Sequence, residues 1–159
     1  MTRSVPIAAV RRSVVVETDC AQAFEIFTHD IDTWWPKSHS MGGAPFKVSM
    51  IEPFVGGRWY AQREDGTEVT VGHVVAWEPG RRVVFRWEMA PGFKYDPGQA
   101  SELEVRFVSL GPASTRVELE HRDFDRISSE GETYRNQLDR GWPVALDRFA
   151  ACARPSPPT

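Results

Sequence analysis

The sequence predicts an α+β domain in which a curved antiparallel sheet grips one long C-terminal helix. Residues 128–153 repeat apolar side chains at spacings of three and four, which is typical of a helix with one buried face. Residues 46–122 instead alternate apolar and polar side chains between short turns, which is typical of antiparallel strands. A sheet that curves around the helix buries the apolar face of both.

Length and composition predict a single domain. The chain has 159 residues, of which 41% are hydrophobic and 26% charged, as in ordinary globular proteins. We expect residues 12–153 to form the domain, residues 1–11 an N-terminal segment, and the proline-rich residues 154–159 a disordered tail.

The net charge and the cysteine content restrict the classes of partner and the cell compartment that we expect for the chain. A net charge of −3 gives no electrostatic basis for binding nucleic acid or an anionic membrane. No segment approaches the length of a membrane span or a signal-peptide core. The two cysteines, Cys20 and Cys152, lack metal-ligand spacing, and we therefore expect a reduced, cytoplasmic setting without membrane insertion.

A strand and two short helices are predicted first. Residues 12–18 alternate as a strand, and Thr18 or Asp19 can cap the helix after it. The buried side of this helix has four residues: Ala23, Phe24, Ile26 and Phe27. Residues 30–35 form a second helical turn stopped by Pro36, and residues 37–45 form a loop.

Six strands come next, joined by turn signals rich in Gly, Pro and Asp. They are predicted at residues 46–52, 58–63, 68–77, 82–88, 101–110 and 115–122. Residues 90–99, with two prolines and two glycines, form a longer loop. Alternation places three sets of side chains on the apolar face: Val69, Val71, His73, Val75 and Trp77; Val83, Phe85 and Trp87; Val117, Leu119 and His121.

The last helix, residues 128–153, has Ser128 or Ser129 as its predicted N-cap. Its predicted buried face consists of Tyr134, Leu138, Trp142, Ala145, Leu146 and Phe149. Gly141 and Pro143 interrupt the helical pattern, and close approach of a neighbouring backbone would explain the glycine.

Several short motifs in this order resemble one known family. They are Trp34-Trp35-Pro36 with His39-Ser40-Met41-Gly42, Gly56-Gly57-Arg58 before Trp59, Gly72-His73-Val74, Trp77-Glu78-Pro79-Gly80, Phe85 with Trp87, residues 118–122, and Gly141-Trp142. Together with the order of elements, they resemble the START-like (SRPBCC) helix-grip superfamily, in the branch named for the C-terminal domain of the activator of Hsp90 ATPase. The resemblance covers residues 14–149.

The resemblance implies a cavity between the sheet and the last helix that holds a small hydrophobic or aromatic molecule. The side chains expected to line it are Trp34, Trp35, Trp59, His73, Phe85, Trp87, Phe107, Tyr134, Leu138, Trp142 and Leu146. It also suggests two further functions, a polyketide cyclase or aromatase and an interaction module. An Hsp90 partner is not expected, because in the named co-chaperones ATPase stimulation depends on a separate Asn- and Trp-containing N-terminal domain.

Three residues are candidates for catalysis. His73 and His121 share the apolar side of their strands, so each is either an acid–base group or a neutral, hydrogen-bonded core histidine. Arg63 is predicted inward, where it would bind a carboxylate, or else at an edge reaching solvent.

No metal or cofactor is expected. His29, Asp30, Asp32 and His39 lie close together in sequence, but they lack a recognised ligand spacing and fit helix capping and a solvated loop.

Exposed sheet edges and surface aromatics also favour a homodimer.

Overall fold

A computed structural model of the chain describes residues 7–37, 44–127 and 130–153. Its helices are α1 (Cys20–Thr28), α2 (Ile31–Trp34) and α3 (Gly131–Cys152). Its strands are β1 (Val10–Val16), β2 (Phe46–Ile51), β3 (Arg58–Arg63), β4 (Glu68–Glu78), β5 (Arg82–Trp87), β6 (Met89–Ala90), β7 (Lys94–Tyr95), β8 (Ser101–Gly111) and β9 (Ser114–Arg122).

Seven strands form one antiparallel sheet in the order β1-β9-β8-β5-β4-β3-β2. The sheet curls into a half-barrel that faces α3, which confirms the predicted fold class. The two short strands β6 and β7 pair with each other inside the predicted loop of residues 90–99 and its preceding residue.

Both longer helices bury the predicted faces. Asp19 caps α1 by accepting a hydrogen bond from the Gln22 backbone N–H. Helix α3 begins at Gly131 and continues through Pro143, and all six predicted residues of its buried face are buried. The proposed caps Ser128 and Ser129 lie outside the described residues.

The alternation predicted for β4 is wrong at two positions, because the strand contains extra residues. Consecutive residues of β3 pair with Thr70 and Gly72, so Val71 is inserted between them. An inserted residue reverses the inward and outward assignment of the later residues in the strand. His73 consequently lies on the outer face. A second irregularity near Val75 leaves that side chain exposed.

Trp87 has small residues beside it on both neighbouring strands. Its register partners are Gly72 on β4 and Ser101 on β8. A Cβ added at Gly72 would lie 2.0 Å from the backbone oxygen of Arg86. Gly72 therefore lets the β4 and β5 backbones approach closely where the large indole of Trp87 is placed.

Side chains from the first part of the chain cover the edge of β2. The Asp32 carboxylate accepts a hydrogen bond from the Ser49 backbone N–H at 2.9 Å and pairs with Lys37 at 2.6 Å. Lys37 also donates to the Lys47 backbone oxygen. These contacts hold α2, and with it Trp34 and Trp35, against the sheet.

Helix α3 is fixed to both ends of the structure by charged side chains. Arg12 of β1 pairs with Asp139 at 2.9 Å, and Arg135 donates to the backbone oxygens of Ala8 and Ala9. Near the other end, Arg148 donates to the Trp34 backbone oxygen at 3.0 Å.

The homodimer expected from exposed edges stays a prediction.

Gly72→Ala should destabilise the fold by about 3 kcal/mol or more, because the new Cβ meets backbone rather than a movable side chain. Gly141→Ala is the matched control. A Cβ there meets nothing within 4 Å, so the expected close approach at Gly141 is wrong. Alanine inside a helix should then stabilise by up to about 1 kcal/mol. Urea unfolding of both variants measures this, and equal stability of the two would contradict it.

Candidate functional site

Four tryptophans form a closed ring between the sheet and α3, which we call the tryptophan square. Trp35 follows α2, Trp59 and Trp87 belong to β3 and β5, and Trp142 belongs to α3. Centroid distances around the ring are 5.3 Å (Trp35–Trp59), 5.5 Å (Trp59–Trp87), 5.8 Å (Trp87–Trp142) and 5.8 Å (Trp142–Trp35). All four contacts are edge-to-face, the geometry that aromatic quadrupoles favour.

The other predicted lining residues divide between this square and a second aromatic group beneath α1. Phe85 lies beside Trp59 at 5.0 Å. Trp34 and Phe107 instead contact Phe27 of α1, and the Trp34 indole is fixed by donating to the Ile26 backbone oxygen. Leu138 and Leu146 are buried on α3.

One chain of hydrogen bonds starts at the Trp87 indole and is closed at its far end. Trp87 Nε1–H donates to the Tyr134 hydroxyl at 2.8 Å, and this hydroxyl donates to the Met89 backbone oxygen. Burial raises the pKa of Tyr134 well above its usual value. The phenol therefore stays protonated at neutral pH and links β5, β6 and α3.

A second chain starts at the Trp142 indole and runs through His121. Trp142 Nε1–H donates to His121 Nδ1 at 3.2 Å, and His121 Nε2 lies 2.8 Å from Ser101 Oγ. An indole nitrogen only donates, so Nδ1 must be the acceptor and Nε2 must carry the ring hydrogen. His121 is thus a neutral, hydrogen-bonded core histidine in a defined tautomer.

The surroundings of His121 also fix its charge. Burial lowers its pKa from 6.5 to about 3, and the positive charge of Arg122 adds to this effect. The ring is consequently not in the imidazolium form that a general acid needs at neutral pH. It lies 5.2 Å from the Trp87 ring, at one corner of the square.

The structure does not bring His73 to this site. His73 lies on the outer face of β4, where its Nδ1 donates to the buried Glu88 carboxylate at 2.7 Å. Its predicted place in the lining was wrong because the inserted residue in β4 reversed the alternation. Arg63 is half-buried at the end of β3, with its guanidinium 5.9 Å from the Phe46 ring.

Glu104 organises the charges on the outer face of the sheet. It is 4% exposed and accepts hydrogen bonds from Arg82, Arg106 and Arg122. Burial alone would raise the pKa of Glu104, but these bonds outweigh it and lower the pKa from 4.5 to about 2. Three arginines and one buried glutamate are therefore paired with each other on the outer face of the sheet.

Ser101 was missed as a site residue in the sequence. The available signal was its place two residues before Leu103 in an alternating strand, which puts it on the inner face.

Within residues 7–37, 44–127 and 130–153, no three His, Cys, Asp or Glu side chains are grouped to bind a metal. His39 of the proposed acidic and histidine cluster lies outside these ranges. None of the helices described is long and apolar enough to cross a membrane.

Stability should fall as the pH falls because of His121. Between its unfolded pKa of 6.5 and its folded pKa of about 3, only the unfolded chain binds this proton. Acidification therefore favours unfolding, by about 1.4 kcal/mol per pH unit at most. Urea unfolding at pH 7 and pH 5 should show up to about 2 kcal/mol more loss in the natural chain than in His121→Gln. Glu104 contributes little in this window, because its pKa lies below 5 in both states, and its contribution is the same in the two proteins. Identical losses in the two proteins would contradict the assignment.

Comparison with known proteins gives a family and several solved relatives. The family described as Activator of Hsp90 ATPase homolog 1-like protein matches residues 17–154. The chain is 35% identical to Txn09, described as an anthrahydroquino-gama-pyrone synthase complexed with SUM. That similarity covers 92% of this chain and 97% of Txn09, with a TM-score of 0.63.

A second relative is the self-sacrificing resistance protein CalC from Micromonospora echinospora, at 34% identity and a TM-score of 0.67. The similarity covers 91% of this chain and 93% of CalC. CalU16 from the same organism shares the fold, at 21% identity and a TM-score of 0.62. That similarity covers 94% of this chain and 77% of CalU16. None of the curated proteins matches. The family match over most of the chain and two relatives above 30% identity show that the chain belongs to the Activator of Hsp90 ATPase homolog 1-like family, with the helix-grip fold of polyketide cyclase-like proteins.

Proposed function

We propose that the chain binds a flat, polycyclic aromatic small molecule against the four indoles of the tryptophan square. The observation that carries this proposal is the square itself. It joins β3, β5, α3 and the residue after α2 through ring contacts of 5.3 to 5.8 Å, so indoles from four parts of the chain lie together between the sheet and α3. Indole faces and edges favour stacked or edge-to-face contacts with flat aromatic ligands.

The position of Trp35 supports entry of a ligand at one side of the square. Trp59 and Trp87 are held in paired strands, and Trp142 is held in a long helix. Trp35 instead follows the last residue of α2, a helix of four residues, and has extended backbone angles. It is the most exposed of the four, at 5%. A ligand that enters from this side moves one side chain at a helix end, which then closes over it as a wall of the site, and leaves the sheet intact.

The polar groups near the square support binding over proton transfer. His121 is neutral at physiological pH, and both of its ring nitrogens are engaged in hydrogen bonds. Tyr134 is similarly engaged through its hydroxyl. Groups held in this way do not serve general acid–base catalysis, which requires a group that exchanges a proton near neutral pH.

A second candidate function is ring formation, favoured by the 35% identity to a protein described as a synthase. In this role the chain would act by holding a flexible precursor in a folded conformation against the square, since proximity alone lowers reaction barriers substantially. The two functions differ in the fate of the ligand. A binding protein returns it unchanged, whereas a synthase releases a product. The resistance role printed for CalC, at 34% identity, fits capture of a small molecule.

Replacement of Trp35 tests the proposed binding. Anthracene-2-sulfonate is a soluble probe with three fused aromatic rings, and calorimetry measures its Kd. Trp35→Phe should weaken binding about tenfold, because one wall of the square loses ring area.

The matched control is Trp77→Phe. Trp77 is half-buried, packs against Phe24 at 5.0 Å and lies outside the square. This variant loses the same ring area and should bind within about twofold of the natural chain. No binding by the natural chain, or equal weakening by both substitutions, would overturn the proposal.

A further inference from the structure

We infer that the Ser101 hydroxyl is a hydrogen-bond donor aimed at a carbonyl oxygen of the bound ligand, and hence that the ligand is an aromatic ketone or quinone. This inference rests on the proposed function and names the ligand class more narrowly. The two chains of hydrogen bonds that start at indole nitrogens end differently.

The first chain uses every hydrogen that it contains. Trp87 donates to the Tyr134 hydroxyl, and the hydroxyl hydrogen goes to the Met89 backbone oxygen. A backbone carbonyl is an acceptor without a hydrogen to pass on. The chain therefore ends inside the protein.

The second chain ends in a hydroxyl hydrogen that has no acceptor among the described residues. Trp142 donates to His121 Nδ1, so His121 Nε2–H must donate to Ser101 Oγ. The serine oxygen accepts this bond. Its hydroxyl hydrogen is still available for donation to another acceptor. Within the described part of the chain, the contact with His121 is the hydrogen bond that the Ser101 side chain makes.

The hydroxyl hydrogen of Ser101 lies where water reaches poorly. Ser101 is 3% exposed, and buried hydroxyls normally use their hydrogen-bonding capacity. Because Ser101 already accepts from a neutral imidazole, its O–H is polarised and becomes a better donor. The matching group on a ligand is one that accepts and does not compete as a donor, which describes a carbonyl oxygen.

Ser101 is also well placed relative to the square. It is the register partner of Trp87 on the adjoining strand. Its hydrogen-bond partner His121 lies 5.2 Å from the Trp87 ring and 6.2 Å from the Trp142 ring. A ligand that packs against the Trp87 indole would therefore lie beside the strand position that carries the hydroxyl. Ser101 in this account is a ligand-binding and specificity-determining residue.

Two probes that differ in their carbonyl groups test this inference. Anthraquinone-2-sulfonate and anthracene-2-sulfonate have the same ring skeleton and charge, but only the first has carbonyl oxygens. Calorimetry gives the Kd of each probe, and their ratio cancels the shared aromatic contacts. The natural chain should bind the quinone about 5- to 10-fold more tightly, the effect of one good hydrogen bond. In Ser101→Ala, the quinone should bind no more tightly than the anthracene. The quinone carbonyl then loses its hydrogen bonds to water without gaining a donor from the protein.

The matched control is Ser49→Ala. Ser49 is equally buried, at 3%, and is the register partner of the inward-facing Ala61 on β3. Its substitution should retain the preference for the quinone. Ser101→Cys serves where the alanine variant is poorly folded, because a thiol keeps the volume but is a weak donor. It should also reduce the preference.

The outcomes separate the two proposals. If neither probe binds the natural chain, the proposed function fails and the inference falls with it. If both probes bind and the preference is absent, or is unchanged in Ser101→Ala and Ser101→Cys, binding to the square stands and the role of Ser101 is overturned.

Discussion

The contacts of Trp87 connect the sheet to the helix, and the rest of the interior depends on them. Its indole packs against Trp59 in the sheet and against Trp142 in α3, and it donates to Tyr134. So large a side chain fits because its register partners are Gly72 and Ser101. The small neighbours leave the indole room, and the indole in turn sets the distance between the sheet and α3.

The pairing of charged side chains on the outer face is the second constraint on function. Ionised side chains are bound to each other on the outer face, with Glu104 at the centre of three arginines. The inner face instead uses neutral donors and acceptors whose directions are set by indole nitrogens. Such an interior suits a flat ring system with a few oxygen atoms. A charged group on the ligand has to stay in water outside the square, because burial of a charge there would be expensive.

Most of the fold could be predicted from the sequence, because period and turn chemistry are local properties. Alternation placed Phe85, Trp87 and His121 inward, and helical spacing gave the buried face of α3. His73 could not be placed, because an inserted residue changes the face of every later residue in the strand without altering the apolar pattern before it. The site was harder still. The closure of four indoles from distant parts of the chain and the direction of the bonds to Ser101 depend on packing between elements.

The indole N–H resonances of the six tryptophans report directly on whether the tryptophan square receives a flat aromatic ligand. Titration of the ¹⁵N-labelled protein with anthracene-2-sulfonate should shift the resonances of Trp35, Trp59, Trp87 and Trp142. The resonance of Trp77, which lies outside the square, should stay in place. A titration that shifts Trp77 alone, or that leaves all six unchanged at saturating probe, would contradict the account and indicate a square that is purely a packed core.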